Sequence, residues 1–134
     1  MSQLFNIFNI SGATLTAQSQ RLNATASNIA NANNISATEA DAYKAKHPVF
    51  KEILNGDKAG GVRVAALAES QRPVEKIYNP GHPLANEEGY VFGTNVSPVE
   101  EMANMISAQR SYQQNVEVVN VTKSMLMRTI QMGQ

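Results

Sequence analysis

The chain has no cysteine, which excludes disulfides, cysteine-ligated zinc and thiol catalysis. It has no surplus of either charge: eleven Lys and Arg balance eleven Asp and Glu, so nothing in the composition draws it to nucleic acid or to an anionic membrane surface. Its apolar runs fall well short of the length that spans a bilayer. The opening, MSQLFNIFNISGATL, lacks a basic start and a continuous apolar core, so it does not read as a cleavable secretory signal. A chain of this kind working outside the cytoplasm would leave by another route. Charge is scarce altogether, at 16% of residues. Turn-formers are scarce at both ends, since all five prolines and six of the eight glycines lie between His47 and Pro98.

What remains is two long helical patterns around a turn-rich middle, within the size of one domain. The fold class is mainly α with a small β insertion. Residues 1–36 and 97–134 are expected to form one helical core, pairing in coiled-coil fashion, and 37–96 a small β-rich and turn-rich region. Residues 1–38 carry a single charged side chain, Arg21, whereas 39–70 carry ten. In the first pattern Phe8, Leu15, Leu22 and Ile29 recur every seven residues, each followed four residues later by a small or polar side chain: Gly12, Ser19, Ala26, Asn33. This predicts a seam in which large side chains fill spaces left by small ones. Asn23, Thr25, Ser27, Asn28 and Asn31 give the same helix a polar face without charge. Ser, Thr and Asn are poor helix formers, so this helix is marginal by itself.

The second pattern starts at Ser97-Pro98-Val99-Glu100, which reads as a capping box with Pro in the first turn. Met102, Met105, Gln109, Tyr112, Val116, Val119, Lys123, Leu126 and Ile130 then follow steps of three and four, a heptad seam with polar interruptions at Gln109 and Lys123. Glu100 and Glu101 at its start, and Lys123 and Arg128 near its end, complement the helix dipole. Gly133 is its stop. From Pro98 to Ile130 the helix reaches roughly 50 Å.

In the middle, Tyr43–Leu54 reads as mostly extended, Gly60-Gly61 as a turn, and the alternation of Val62, Val64 and Ala66 as a half-buried strand. Val74–Tyr78 is a further strand candidate. Asn79-Pro80-Gly81-His82-Pro83 is a turn by chemistry, and Glu88-Gly89-Tyr90-Val91 begins a further turn and short strand.

Chemical candidates are few. His47 and His82, with Asp41, Glu87 and Glu88, lack the helical spacing of a metal site, and both histidines precede proline; exposed turn residues are the simpler reading. Glu87-Glu88 does not place two carboxylates face to face, and no Ser or Thr sits in a nucleophile elbow. Gly60-Gly61 lacks a phosphate-loop context. The four tyrosines lack the basic neighbours of a base-stacking platform. No residue is assigned a catalytic, cofactor-binding or metal-binding role. A metal-dependent hydrolase built on His47, His82 and Glu87 is the rival from another class.

The uncharged face of the first helix separates the two readings of the terminal helices. They could pair within one monomer, or pack between molecules. An enclosed charge costs several kcal/mol unless paired, whereas an enclosed Asn, Ser or Thr costs less and finds a hydrogen-bond partner. The stretch suits enclosure by other subunits.

The chain resembles the bacterial flagellar basal-body rod protein family. The resemblance rests on LFNIFNISGATLTAQSQRLNATASNIANANN, with Ala30, Asn31 and Asn33 in its Ala-Asn-rich end, on YNPGHPLANEEGYV, and on EEMANMISAQRSYQQNVEVVNVTKSMLMRTIQMGQ at the close. Within the second stretch Tyr78, Asn79, Pro80, Gly81, Pro83, Leu84, Gly89 and Tyr90 carry the likeness. Together with the short middle, that stretch points to a proximal-rod member. One departure stands out: 35–42 lacks the glycine or proline common there in the family, so part of it is free to be helical.

The resemblance implies a structural subunit without cofactors, exported through the flagellar type III apparatus without a cleavable signal and assembled in the periplasmic rod. It implies copies of itself and other rod proteins as partners, no nucleic acid, no small-molecule substrate and no direct membrane insertion. The packing positions expected from the seams are Phe8, Leu15, Leu22, Ile29, Met105, Tyr112, Val116, Val119, Leu126 and Ile130. The alternative within the same class is another flagellar axial protein, or a type III secretion structural or adaptor protein.

Overall fold

The computed structural model describes residues 2–56 and 58–133. Its elements in chain order are α1 (Ser2–Ala30), β1 (Lys46–Asn55), β2 (Lys58–Glu69), β3 (Lys76–Tyr78), β4 (Tyr90–Phe92) and α2 (Pro98–Met132). The two helices lie antiparallel. Asn28 near the end of α1 bonds Glu101 near the start of α2, and Arg21, two turns earlier, bonds Asn104. At 29 and 35 residues, both are several times longer than the strands β3 and β4.

α1 closes at Ala30, short of 36, and gives way to turns over Asn31–Asn33. The amides of the Asn-rich end bond locally: Asn31 Nδ2 donates to the backbone Ser27 O at 2.8 Å, and Asn34 Nδ2 to the Asn31 side-chain Oδ1 at 2.8 Å. Such local bonds compete with helix propagation. The 35–42 stretch is not helical. Ser36 and Phe92 exchange backbone bonds of 2.8 and 3.0 Å, and the Thr38 hydroxyl accepts from the Asp41 N–H. Pairing with Phe92, rather than a local breaker, holds this stretch out of the helical range.

β1 and β2 form an antiparallel hairpin whose register shifts between Val49 and Phe50, and again between Glu52 and Leu54. Gly60-Gly61 does not make its turn. Both residues lie within β2, and the chain reverses after Asn55-Gly56, where Gly56 has φ +68°. Asn55 is paired with Lys58, so Gly56 opens the turn, and its positive φ is the one that the first central position of a tight hairpin turn demands. Gly61 answers a different demand, because its φ is +108° and a Cβ there would stand 3.0 Å from Ala13 Cβ and 3.4 Å from Ile10 Cα. It lets β2 lie directly on α1.

The second ribbon pairs β3 with β4, Lys76 opposite Phe92 and Tyr78 opposite Tyr90. Between them the Asn79–Gly89 loop is built from its own bonds. Asn79 N–H donates to Gly89 O, and Asn86 Oδ1 accepts from the Glu88 and Tyr90 N–H groups. Gly89, at φ +82°, leaves no room for a Cβ beside Pro80 and Tyr78. Tyr78 and Tyr90 meet edge-on at 5.1 Å, with Lys76 Nζ 4.2 Å from the Tyr90 ring centre.

The Ser97 capping box is not formed. Ser97 is the N-cap by backbone geometry, but its side chain makes no cap bond. Glu100 pairs instead with Arg72 at 2.9 Å. Both partners are more than half exposed, so Arg72→Ala is expected to change the urea midpoint by less than about 1 kcal/mol of stability. At the far end Gly133 does stop α2, with its N–H shared between Thr129 O and Ile130 O.

Small side chains make the core. Among the described residues the buried apolar ones are Ala17, Ala24, Ala42, Ala45, Val91 and Ala108, and the largest fully buried side chains are Val91 and Asn28. α2 packs on α1, and its Ala108 and Thr122 are buried, as are Ser11 and Thr25 of α1. The Thr122 hydroxyl donates to Val118 O at 2.7 Å, so a polar side chain enters a helix contact with its bond made inside its own helix. The large side chains stay outside, among them Phe5, Leu54, Met102, Ile106 and Met132. The molecule exposes 9071 Å². A compact protein of 14.5 kDa exposes about 6,900 Å², so some 2,000 Å² is surplus.

Candidate functional site, an assembly interface

Three chain segments meet at Asn28. It sits late in α1 and is completely buried. Its Nδ2 donates to Lys46 O at 2.9 Å and to Glu101 Oε2 at 3.0 Å. Its Oδ1 accepts from Lys46 N–H at 3.0 Å and from the Tyr43 hydroxyl at 2.8 Å. Two donors and two acceptors are all that an amide has, and all are used. Asn28 thus joins α1, the entry to β1 and the first turn of α2. Glu101, 2% exposed, lies at the N-terminus of α2, where the helix dipole favours its carboxylate, and His47 Nε2 stands 3.5 Å from it.

Asn95 makes a second junction. Its Oδ1 accepts from Ala45 N–H at 2.7 Å, and its Nδ2 donates to Ser70 O and Arg72 O at 3.2 and 2.9 Å. Beside it, the Thr94 hydroxyl donates to Ala32 O at 2.8 Å. These side chains fix the helical pair, the hairpin and the segment before α2 against one another.

Neither junction stands out as a site in the sequence. Asn28 counts there as one member of a polar face, and Asn95 belongs only to the likeness that follows Gly89-Tyr90-Val91. The available signal was an amide, a poor helix former, inside a helix. Part of the neutral face is therefore covered by the chain itself: Thr25 and Asn28 are buried within the molecule, while Asn23 and Ser27 stay exposed.

The expected packing positions divide into two groups. Phe8, Leu15, Leu22 and Ile29 are half-buried on α1, as are Met105, Val119 and Leu126 on α2. Tyr112, Val116 and Ile130 are exposed in the single molecule. The α2 stripe that turns inward holds Glu101, Ala108, Ser111, Asn115 and Thr122, displaced by one residue from Met102, Gln109, Tyr112, Val116 and Lys123. The small residues Gly12, Ser19 and Ala26 of α1 are exposed rather than enclosed between the two helices. Of the signature residues, Tyr78 and Tyr90 flank the Asn79–Gly89 loop and meet each other, with Gly89 against Tyr78, and Pro83 and Leu84 are exposed at its tip.

His82 uses Nδ1 to accept from Leu84 N–H, and Glu88 stands 3.8 Å from Lys76. Among the described residues no three His, Asp or Glu gather as metal ligands, and no helix is long and apolar enough to cross a membrane.

Two family profiles match the chain: the flagella basal body rod protein over residues 8–34, and the flagellar basal body rod FlgEFG protein C-terminal over residues 87–132. Flagellar basal-body rod protein FlgC of Escherichia coli O6:H1 is 52% identical over 132 residues, covering 98% of both chains. The chain belongs to the flagellar basal-body rod protein family. The FlgC proteins of Salmonella typhimurium and of Buchnera aphidicola subsp. Baizongia pistaciae are 49% and 37% identical, again over 98% of each chain. The resemblance to a rod protein drawn from the sequence is borne out, and members of this family are structural subunits of the flagellar basal body. The first profile spans most of α1 with Asn28, and the second spans α2 with Glu101. In rod-family terms the Asn28–Glu101 bond ties the two matched segments together.

Proposed function

We propose that the chain polymerises through its terminal helices into the proximal rod of the bacterial flagellum, the drive shaft that carries torque from motor to hook. The observation that carries this reading is likeness to FlgC proteins, at 52 and 49% identity, over 98% of the chain. The physical support is a surface with surplus area and large apolar side chains left outside a core of alanines. Phe8, Leu15, Leu22 and Ile29 hold α1 to α2, with Met105, Val119 and Leu126 opposite. Tyr112, Val116 and Ile130 face neighbouring subunits. The partners are other copies, other rod proteins and, on the way out, the flagellar type III export apparatus. The subunit works in the periplasm and travels there without a cleavable signal. Torque passes through many side-by-side helix contacts, each small. Burial shared among subunits offsets the entropy of ordering the helical ends. The role is structural, with no reaction and no cofactor.

Deletion of the gene in its own bacterium tests this. The expected result is loss of swimming and no rod in electron micrographs of basal bodies, both restored by a plasmid copy. Rods of normal length in the deletion strain would overturn the reading.

A further inference from the structure

α2 carries two parallel stripes. One, through Ala108 and Thr122, is covered by α1 of the same chain. The other is the more apolar and is open: Met102, Tyr112, Val116, Met127 and Ile130 are 54, 38, 38, 52 and 47% exposed. The two stripes share an edge at the half-buried Met105, Val119 and Leu126, so the open one continues the existing helix contact. Its three- and four-residue steps suit a helix as occupant.

α1 has an open stripe of the opposite kind. Phe5, Asn9, Gly12, Thr16, Ser19, Asn23, Ala26 and Ala30 recur at steps of four and three, and all are exposed. None is charged, so covering them strips water from no ion. Gly12 is the telling member. A glycine inside a helix costs roughly 1 kcal/mol relative to alanine. Nothing within this molecule requires it, because a Cβ at Gly12 would meet no atom within 4 Å. At Gly61 the same residue type is explained by contact with α1; at Gly12 the contact is missing from the single chain.

Resting on the rod reading, we propose that the open stripe of α2 is the docking surface for α1 of a second copy of this chain, which approaches closest at Gly12. Large side chains of one copy enter the spaces beside small side chains of the other. The only charge on the α2 stripe, Lys123, has a stem long enough to lie along the contact with its ammonium in water. A strip about 10 Å wide and about 40 Å long covers on the order of 400 Å² per partner. A lasting pair needs about 800 Å² per partner, so one such contact is weak and holds when each copy meets several neighbours.

The chain has no cysteine of its own, which makes introduced ones unambiguous reporters. Full-length Thr16→Cys, which keeps Gly12, is mixed under mild oxidation with full-length Gln109→Cys, Tyr112→Cys or Val116→Cys, each in turn. Heterodimers with at least one of the three are expected at fivefold or more over the pairing of Thr16→Cys with Ala65→Cys on the exposed hairpin. Heterodimers at the control level, or disulfides mainly between two Thr16→Cys copies, would overturn the proposal. Gly12→Leu, introduced into the Thr16→Cys chain, is expected to keep the circular dichroism of a folded chain and lose the heterodimer. Gly12→Ala provides the second variant: it is expected to raise the melting temperature while cutting the cross-link severalfold. An unchanged cross-link in both variants would refute the close approach. In the deletion strain, Gly12→Leu is expected to abolish swimming where the wild-type copy restores it. Full swimming by Gly12→Leu would sink the docking surface and leave the rod reading intact; failure of the wild-type copy would strike the rod reading itself.

Discussion

Asn28→Asp is expected to destabilise the folded chain by about 3–5 kcal/mol, although it replaces one NH₂ group by an oxygen. The loss follows from the direction of the bonds. In the native protein Nδ2 donates to the Glu101 carboxylate at 3.0 Å and to Lys46 O at 2.9 Å. A carboxylate at 28 has no proton to give either of them and sets a second negative charge against Glu101, itself 2% exposed. The bonds from Tyr43 and from Lys46 N–H survive, so the shape of the site is kept while its electrostatics reverse. A small domain has about 5–15 kcal/mol to lose, so the variant stands near its folding threshold. Asn23→Asp, on the exposed side of the same helix, is the matched control and is expected to shift stability by no more than about 0.5 kcal/mol. Glu101→Gln in the Asn28→Asp background removes the like charge and returns a donor. The double variant is therefore expected to recover at least about 1 kcal/mol relative to additivity. Urea unfolding followed at 222 nm measures five chains: the wild type, the single variants Asn28→Asp, Asn23→Asp and Glu101→Gln, and the double variant. An Asn28→Asp midpoint equal to that of Asn23→Asp would mean that the junction does not hold the helices together.

The sequence shows much of this architecture and little of this junction, for one reason. Periodicity is local information, so α2 is legible from Ser97-Pro98 to Gly133, and the alternation of Val62 and Val64 marks a strand. The partners of Asn28 come from residues 43, 46 and 101, and nothing local brings them together. The offset of the α2 seam has a more specific cause. Hydrophobic weight along α2 selects Met102, Tyr112, Val116 and Ile130, yet the stripe facing α1 is the one with Ala108 and Thr122. Close approach of two helices needs small side chains, and apolar weight gathers on the other stripe. A pattern that scores apolar residues finds the surface left open and misses the contact already closed. The hairpin turn shows a related confusion. Gly60-Gly61 reads as a reversal because glycine serves both turns and close approaches, and only the neighbouring helix tells the two apart.

Gly61→Val is the expected result that separates those two uses of glycine. Gly61 is buried at φ +108°, a region that side chains branched at Cβ adopt only under strain. Its new Cβ would stand 3.0 Å from Ala13 Cβ and 3.4 Å from the Ile10 Cα, which belongs to the backbone of α1 and cannot swing aside. Strain and overpacking are each worth about 1–3 kcal/mol, so a total near ~4 kcal/mol is expected, enough to lift β2 from the helix. Gly81→Ala is the control, since its nearest obstacle is Asn79 Oδ1 at 3.9 Å and its φ is unstrained. The two causes can be divided. In Gly61→Ala, changing Ala13 to Gly removes the 3.0 Å neighbour and restores the steric share, while the strain at φ +108° stays. Ala13→Gly costs roughly 1 kcal/mol inside α1 by itself, so recovery is measured against the Ala13→Gly single variant, and partial recovery is the expected outcome in urea unfolding. Complete recovery would assign the whole cost to contact with α1. No recovery would assign it to backbone strain, and the missing Cβ at Gly61 would then no longer account for β2 lying directly on that helix. Apart from α2, the hairpin is the main element packed against α1. Its detachment would change the lateral surface of every subunit, so cells carrying Gly61→Val are expected to swim poorly even where the variant is exported.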